Sequence, residues 1–182
     1  MDRNQDGAID ADDRYIAGNT FPDFTYGFNI GGSYKNFSLT TQWQGVHNIS
    51  VFLGGNLILP FNNGAGLQKE WLTDAWTPQN PNARLPRLTA FSTYKENFAV
   101  SDMWLKDASY LRLKNIQLAY DVPNMAFLNK AGIKKLKLFV NAQNLLTFTK
   151  IKDFDPEQNV TVENLNKYPS VKMFTGGINI SF

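Results

Sequence analysis

The final stretch of the chain constrains its fold most. Phe174, Gly176, Ile178, Ile180 and Phe182 fall on one face of an extended segment, and Thr175, Gly177, Asn179 and Ser181 fall on the other. The apolar face ends on a carboxy-terminal aromatic. Strict alternation over this length suits a strand that meets an apolar medium on one side and water on the other. In a transmembrane barrel that medium is lipid, and about 9 to 11 residues cross it. A half-buried strand of a soluble sandwich has the same period, so the rest of the chain must decide.

The same alternation recurs upstream. Phe24, Tyr26, Phe28 and Ile30 share a face, and after a tight turn at Tyr34-Lys35-Asn36 so do Phe37, Leu39, Thr41 and Trp43. Further strands are expected at about 107–120 and 135–143, joined by a turn with a helical half-turn between Pro123 and Gly132. In the first of these Leu111 and Leu113 occupy one phase and Ile116, Leu118 and Tyr120 the other, which predicts a bulge near Lys114-Asn115. Residues 47–101 read as one large loop rich in Gly, Asn and Pro, with a single helical pattern at Leu67, Trp71 and Ala75. A second loop is expected over 147–170.

Three features favour the barrel over the sandwich. The inner faces carry small, uncharged polar residues. Tyr26, Trp43, Tyr110 and Tyr120 lie near strand ends. Short and long connections alternate, as periplasmic turns and extracellular loops do in outer-membrane barrels. The fold expected is therefore all-β: about five C-terminal strands of an antiparallel transmembrane β-barrel with long extracellular loops. Five strands leave two open edges in lipid, so residues 1–182 are expected to be an incomplete barrel segment.

Composition removes other classes. Eighteen Lys and Arg against 16 Asp and Glu give a formal charge of only +2, with no footprint for nucleic acid. Lys134, Lys135 and Lys137 form the one tight basic cluster, read as a solvated strand end. The absence of Cys excludes disulfides and thiolate chemistry. No apolar run reaches the length of a spanning helix.

Several segments in order resemble the SusC/RagA-type TonB-dependent outer-membrane transporters. They are Asp2 to Asp10, Gly18-Asn19 with Pro22 to Gly27, Trp76-Thr77-Pro78 through Pro86-Arg87, Asp107 to Asn115, and Gln143-Asn144-Leu145 leading to Asp155-Pro156-Glu157. The resemblance implies a barrel of about 22 strands, an N-terminal plug energised through the TonB complex, and a SusD-like lipoprotein lid that delivers glycans or peptides. It also implies outer-membrane lipid as a partner and recognition by the barrel assembly machinery through Phe182. On this reading the chain is a wall-and-loop portion of an importer, in the cell outer membrane, with no enzymatic step and no activity alone. The alternative is a soluble all-β calcium-dependent carbohydrate-binding module.

Two sets of candidate site residues stand out. Asp2, Asn4, Asp6, Ala8 (through its carbonyl), Asp10 and Asp13 follow the spacing of an EF-hand calcium loop, with Gly7 at the turn position and Asp13 where a bidentate Glu is usual. Ca2+ is the candidate cofactor; a solvated acidic turn is the plainer reading. Trp71, Trp76 and Trp104 are guessed as sugar-stacking residues, against packing of the large loop on itself. Glu70, Asp74, Asp102 and Asp107 have no separation that sequence can fix, so no glycosidase pair is assigned. The lone His47 lacks partners for metal or triad chemistry and gets no catalytic role.

Overall fold

The computed structural model describes residues 3–8, 10–64, 66–89, 95–152, 154–158 and 168–182. It divides into two compact units. One comprises Pro22–Ile49, Asp107–Gln158 and Lys167–Phe182; the other comprises Met1–Phe21, Ser50–Lys106 and Asn159–Asn166.

The first unit is a five-stranded antiparallel sheet. Its strands are β1 (Phe24–Tyr34), β2 (Phe37–His47), β3 (Tyr110–Asp121), β4 (Lys135–Thr149) and β5 (Met173–Ser181), in spatial order β1-β2-β3-β4-β5. Within this sheet each neighbour in space is the next of its own strands in sequence, so the sheet is a meander. The β1–β2 connection is a two-residue turn, Tyr34 pairing Phe37, with Lys35 taking a positive φ of 53°. The β3–β4 connection carries the short helix α2 (Ala126–Lys130), pinned by buried Leu128. Thus the short connections leave one rim of the sheet and the long ones the other.

The predicted bulge is present. Gln42 pairs Asn115 while Trp43 pairs Leu113, leaving Lys114 as the extra residue on β3. That single insertion brings Leu111 and Leu113 onto the same face as Ile116, Leu118 and Tyr120, because each residue added to a strand reverses its side-chain phase. Strand β4 runs past the expected end at Gln143 to Thr149. Asn144, at φ 53°, absorbs the irregularity opposite Lys114 and the strand resumes at Leu146, which pairs Leu113.

Register then sorts the whole sheet. Phe28, Trp43, Leu113 and Leu146 form one cross-strand row; Gly32, Leu39, Leu118, Val140 and Gly176 form another, and Phe37, Tyr120, Leu138 and Ile178 a third. This face is apolar and bare: Phe24, Ile30, Phe37, Leu118, Val140, Phe148, Phe174 and Ile178 are all exposed. The opposite face carries Thr25, Asn29, Thr40, Gln42, Asn115, Gln117, Asn141, Thr175 and Asn179. It is not wholly uncharged as expected, because Arg112, Lys137 and Asp121 also lie on it.

Two glycines make room for rings in this sheet. A Cβ on Gly45 would sit 2.6 Å from the Tyr110 carbonyl oxygen and from the Tyr26 ring, its partner in register. A Cβ on Gly177 would sit 2.4 Å from the ring of Phe139, also its partner. An aromatic lying over a strand glycine restores the packing that the missing side chain forfeits.

The second unit has little regular structure. It holds 3-10 turns, the four-residue helix α1 (Glu70–Thr73), and the short strand Ser50–Phe52, which pairs with Leu105–Asp107. The Leu67, Trp71, Ala75 spacing therefore does not give a helix through all three: Ala75 instead bridges Leu85. Trp71, Phe98 and Trp104 form its aromatic core, with ring centroids 6.2 to 6.3 Å apart. No helix among the described residues is long and apolar enough to cross a membrane.

Candidate functional site

The tightest polar construction lies on the inner, polar face of β3, where sequence reasoning flagged no site. Arg112 is buried there and donates from Nε to Thr147 Oγ1 at 2.9 Å, from Nη2 to Asp155 Oδ1 at 2.6 Å and from Nη1 to Asp155 Oδ2 at 3.3 Å. Glu157 reaches the same guanidinium at 3.2 Å and also pairs Lys114 Nζ at 2.7 Å. The Arg112 and Asp155 side chains are only 4% and 6% exposed. A guanidinium this buried requires a carboxylate partner and full use of its donors. The bidentate fork supplies both.

Asp155 also gathers the loop that follows β4. Its Oδ1 accepts the Glu157 amide and its Oδ2 the Ser170 amide, each at 3.0 Å. One carboxylate thus ties the departing and returning arms of the 155–170 connection to the sheet. Burial alone would raise its pKa, but hydrogen bonds from Arg112, the Glu157 amide and Ser170 outweigh that and hold it at about 2. A concavity of about 520 Å³ opens beside this clamp, lined by Thr147, Thr149, Ile151, Phe154, Pro156 and Pro169 among others. The Asp155-Pro156-Glu157 and Tyr110 to Lys114 segments stood among the family-like motifs, yet their pairing across 43 residues was invisible to spacing.

The guessed tryptophans separate. Trp71 and Trp104 are 4% and 3% exposed, with faces occupied by each other and by Phe98, and Trp104 Nε1 donates to the Asn97 carbonyl. Neither can stack on a sugar; they are core, as the plainer reading had it. Trp76 alone is exposed.

In the acidic loop Asp2 lies outside the described residues. Asn4 Oδ1 accepts the Asp6 amide, Asp6 Oδ1 the Ala8 amide and Asp10 Oδ1 the Asp12 amide, which curls the backbone in successive Asx turns. Asp13 is buried and accepts the Arg3 and Asp10 amides, joining the two ends of the loop. These bonds, first of all that from Ala8 for Asp6 and from Arg3 for Asp13, lower both carboxyl pKa values. No group of three or more acidic or histidine side chains converges on a common point among the described residues.

The other carboxylates are committed elsewhere. Glu70 and Asp74 are both held by Arg84, Asp102 accepts the Tyr15 hydroxyl, and Asp107 pairs Lys150 at 2.9 Å. His47 is exposed at the end of β2. Among the described residues nothing assembles a nucleophile with a base or a free acid pair.

Comparison with known proteins places these features. No family model matches the chain. Over its whole length it is 34% identical to TonB-dependent receptor P3 of Formosa agariphila and 26% identical to TonB-dependent receptor SusC of Bacteroides thetaiotaomicron, covering 18% and 17% of those proteins. Among solved structures, the RagAB peptide importer in its open-open state matches 92% of this chain and 18% of its own at TM-score 0.69 and 34% identity. The chain thus spans about a fifth of the length of the relatives it matches.

Proposed function

Because the chain belongs to the SusC/RagA family of TonB-dependent receptors, which are non-enzymatic proteins of the outer membrane, we propose that it forms barrel wall and outer loops of a TonB-dependent importer of glycans or peptides. The carrying observation is the five-stranded meander with one face apolar and largely exposed, the other polar. A soluble module would present that apolar face to water, where patches beyond a few hundred Å² are rare. Lipid is the solvent that the face fits.

The relative that bears on cargo is the RagAB importer, described as one of peptides. A two-component importer of that kind supports a SusD-like lipoprotein lid as partner and TonB as the energy source. The Arg112–Asp155 clamp then serves to fix the base of an outer loop on the wall. Phe182, on the exposed apolar face at the end of β5, fits recognition by the barrel assembly machinery. On this reading the chain transports nothing by itself. The test is folding without detergent: dependence on detergent or on a larger barrel is expected, and a soluble, cooperatively melting monomer would overturn the proposal.

We further propose Ca2+ as ligand of the Asp2–Asp13 loop, on the alternate spacing of its oxygens and the joining of its ends by Asp13. Calorimetric titration with CaCl2 should show binding that Asp6→Ala abolishes; no heat in the unaltered protein would reject it.

A further inference from the structure

The rim of the sheet from which the short turns leave has a composition that barrel geometry alone does not require. Lys35 lies in the β1–β2 turn, Lys130 ends α2, Lys134 precedes β4, and Lys135 and Lys137 open it. The only acidic side chain on these segments is Asp121, which pairs Lys137 at 3.4 Å. Among the described residues Lys35, Lys130, Lys134 and Lys135 form no ion pair; at the opposite rim Arg112, Lys114 and Lys150 are matched by carboxylates, while Lys152 and Lys172 are not. Aromatic and apolar side chains interleave with the cations. Tyr34 is 74% exposed beneath Lys35 Nζ, 5.4 Å from its ring centroid, and Phe127 on α2 is 62% exposed although Leu128 beside it is buried. Met125 and Phe182 are exposed on the same rim.

Apolar side chains that reach into acyl chains, topped by unpaired cations, match the boundary between hydrocarbon and an anionic headgroup layer. Tyr34 lies in register with Phe37 on the exposed apolar face of the sheet, so this rim meets the membrane where the sheet does. We propose that this rim binds the phosphates of anionic phospholipids in the leaflet facing the periplasm, with Lys35, Lys130 and Lys134 as the headgroup contacts and Phe127 as the insert. This rests on the barrel reading above, in which short turns are periplasmic.

The test uses the receptor that carries this chain, reconstituted into vesicles of phosphatidylcholine with and without phosphatidylglycerol, then extracted with an equimolar mixture of the two for counting of retained lipids. Retention of phosphatidylglycerol over phosphatidylcholine is expected, falling by up to about fivefold for each lysine removed in Lys35→Gln, Lys130→Gln and Lys134→Gln. The Arg replacements at the three positions should keep it, as should Lys152→Gln at the other rim. Free inorganic phosphate at equal ionic strength should not compete, since the insert requires acyl chains; competition by it would point to a soluble anion site and overturn the lipid assignment. If the Gln variant fails to fold, raising salt from ~0.1 M to ~1 M must erase the preference of the unaltered receptor, and a salt-independent preference would refute the role of these lysines. Equal retention of both lipids by an inserted receptor overturns this inference alone, whereas failure to insert into either vesicle overturns the barrel reading.

Discussion

Replacing Asp155 with Asn tests how the outer connection is held. The substitution keeps the shape and removes the charge from a pair whose side chains are 4% and 6% exposed. Breaking one partner of a buried pair costs about 3 to 5 kcal/mol because the other charge is left uncompensated. Here Glu157 remains 3.2 Å from Arg112 Nη1, which places the cost near the lower end. The amide NH2 of the new side chain must also face a donor, since both carboxylate oxygens now accept one guanidinium N–H and one backbone amide. An effect of about 3 kcal/mol corresponds to roughly a hundredfold faster opening. Hydrogen exchange read by mass spectrometry over 154–158 and 168–172 should accelerate by that factor while β1 and β2 stay protected. The double variant Arg112→Met with Asp155→Leu should cost less than Asp155→Leu alone. Unchanged exchange in the Asp155→Asn variant, or additive costs in the double variant, would refute the clamp.

Acid should release the same connection: the Asp155 carboxyl sits at about 2 in the fold against about 3.9 unfolded, so its contribution is complete above pH ~4 and is lost as pH falls through 4 toward 2, measurable by exchange or proteolysis across that range. Gly45→Val should destabilise the β2–β3 pairing by about 1 to 3 kcal/mol or more, because its Cβ meets the Tyr110 carbonyl as well as the Tyr26 ring; chemical denaturation reads the loss, and an unchanged midpoint would contradict the close approach. Trp104→Ala should cost about 3 to 5 kcal/mol and open the Ser50–Lys106 region to protease, since it empties the centre of the Trp71, Phe98 and Trp104 cluster.

How much of this was legible depends on the range of the signal. Alternation reports side-chain phase directly, so the five strands, the Tyr34–Phe37 turn and even the bulge at Lys114 could be read from the order of apolar residues. The end of β4 could not: Asn144 looks like a strand breaker, but in the fold it is a bulge opposite another bulge and pairing resumes beyond it. The Arg112–Asp155 clamp was hidden because ion pairing between residues 43 apart has no local pattern, and an inner-face arginine ran against the expectation of an uncharged wall. Tryptophans misled in the opposite direction. Their spacing cannot distinguish a ring offered to a sugar from one stacked within a loop core, and burial settled Trp71 and Trp104 as core.

The central claim is that one face of the sheet meets lipid and the other the lumen, with the phase reset at Lys114. Single cysteines placed in turn from Leu111 to Tyr120, in the receptor carrying this chain with other cysteines removed, and labelled with a nitroxide, measure it most directly. Accessibility to oxygen, which concentrates in lipid, should be high at 111, 113, 116, 118 and 120 and low at 112, 115, 117 and 119, with a water-soluble nickel complex showing the reverse. An alternation that runs through Lys114 without the reset, or equal access of the nickel complex to both faces, would contradict the account.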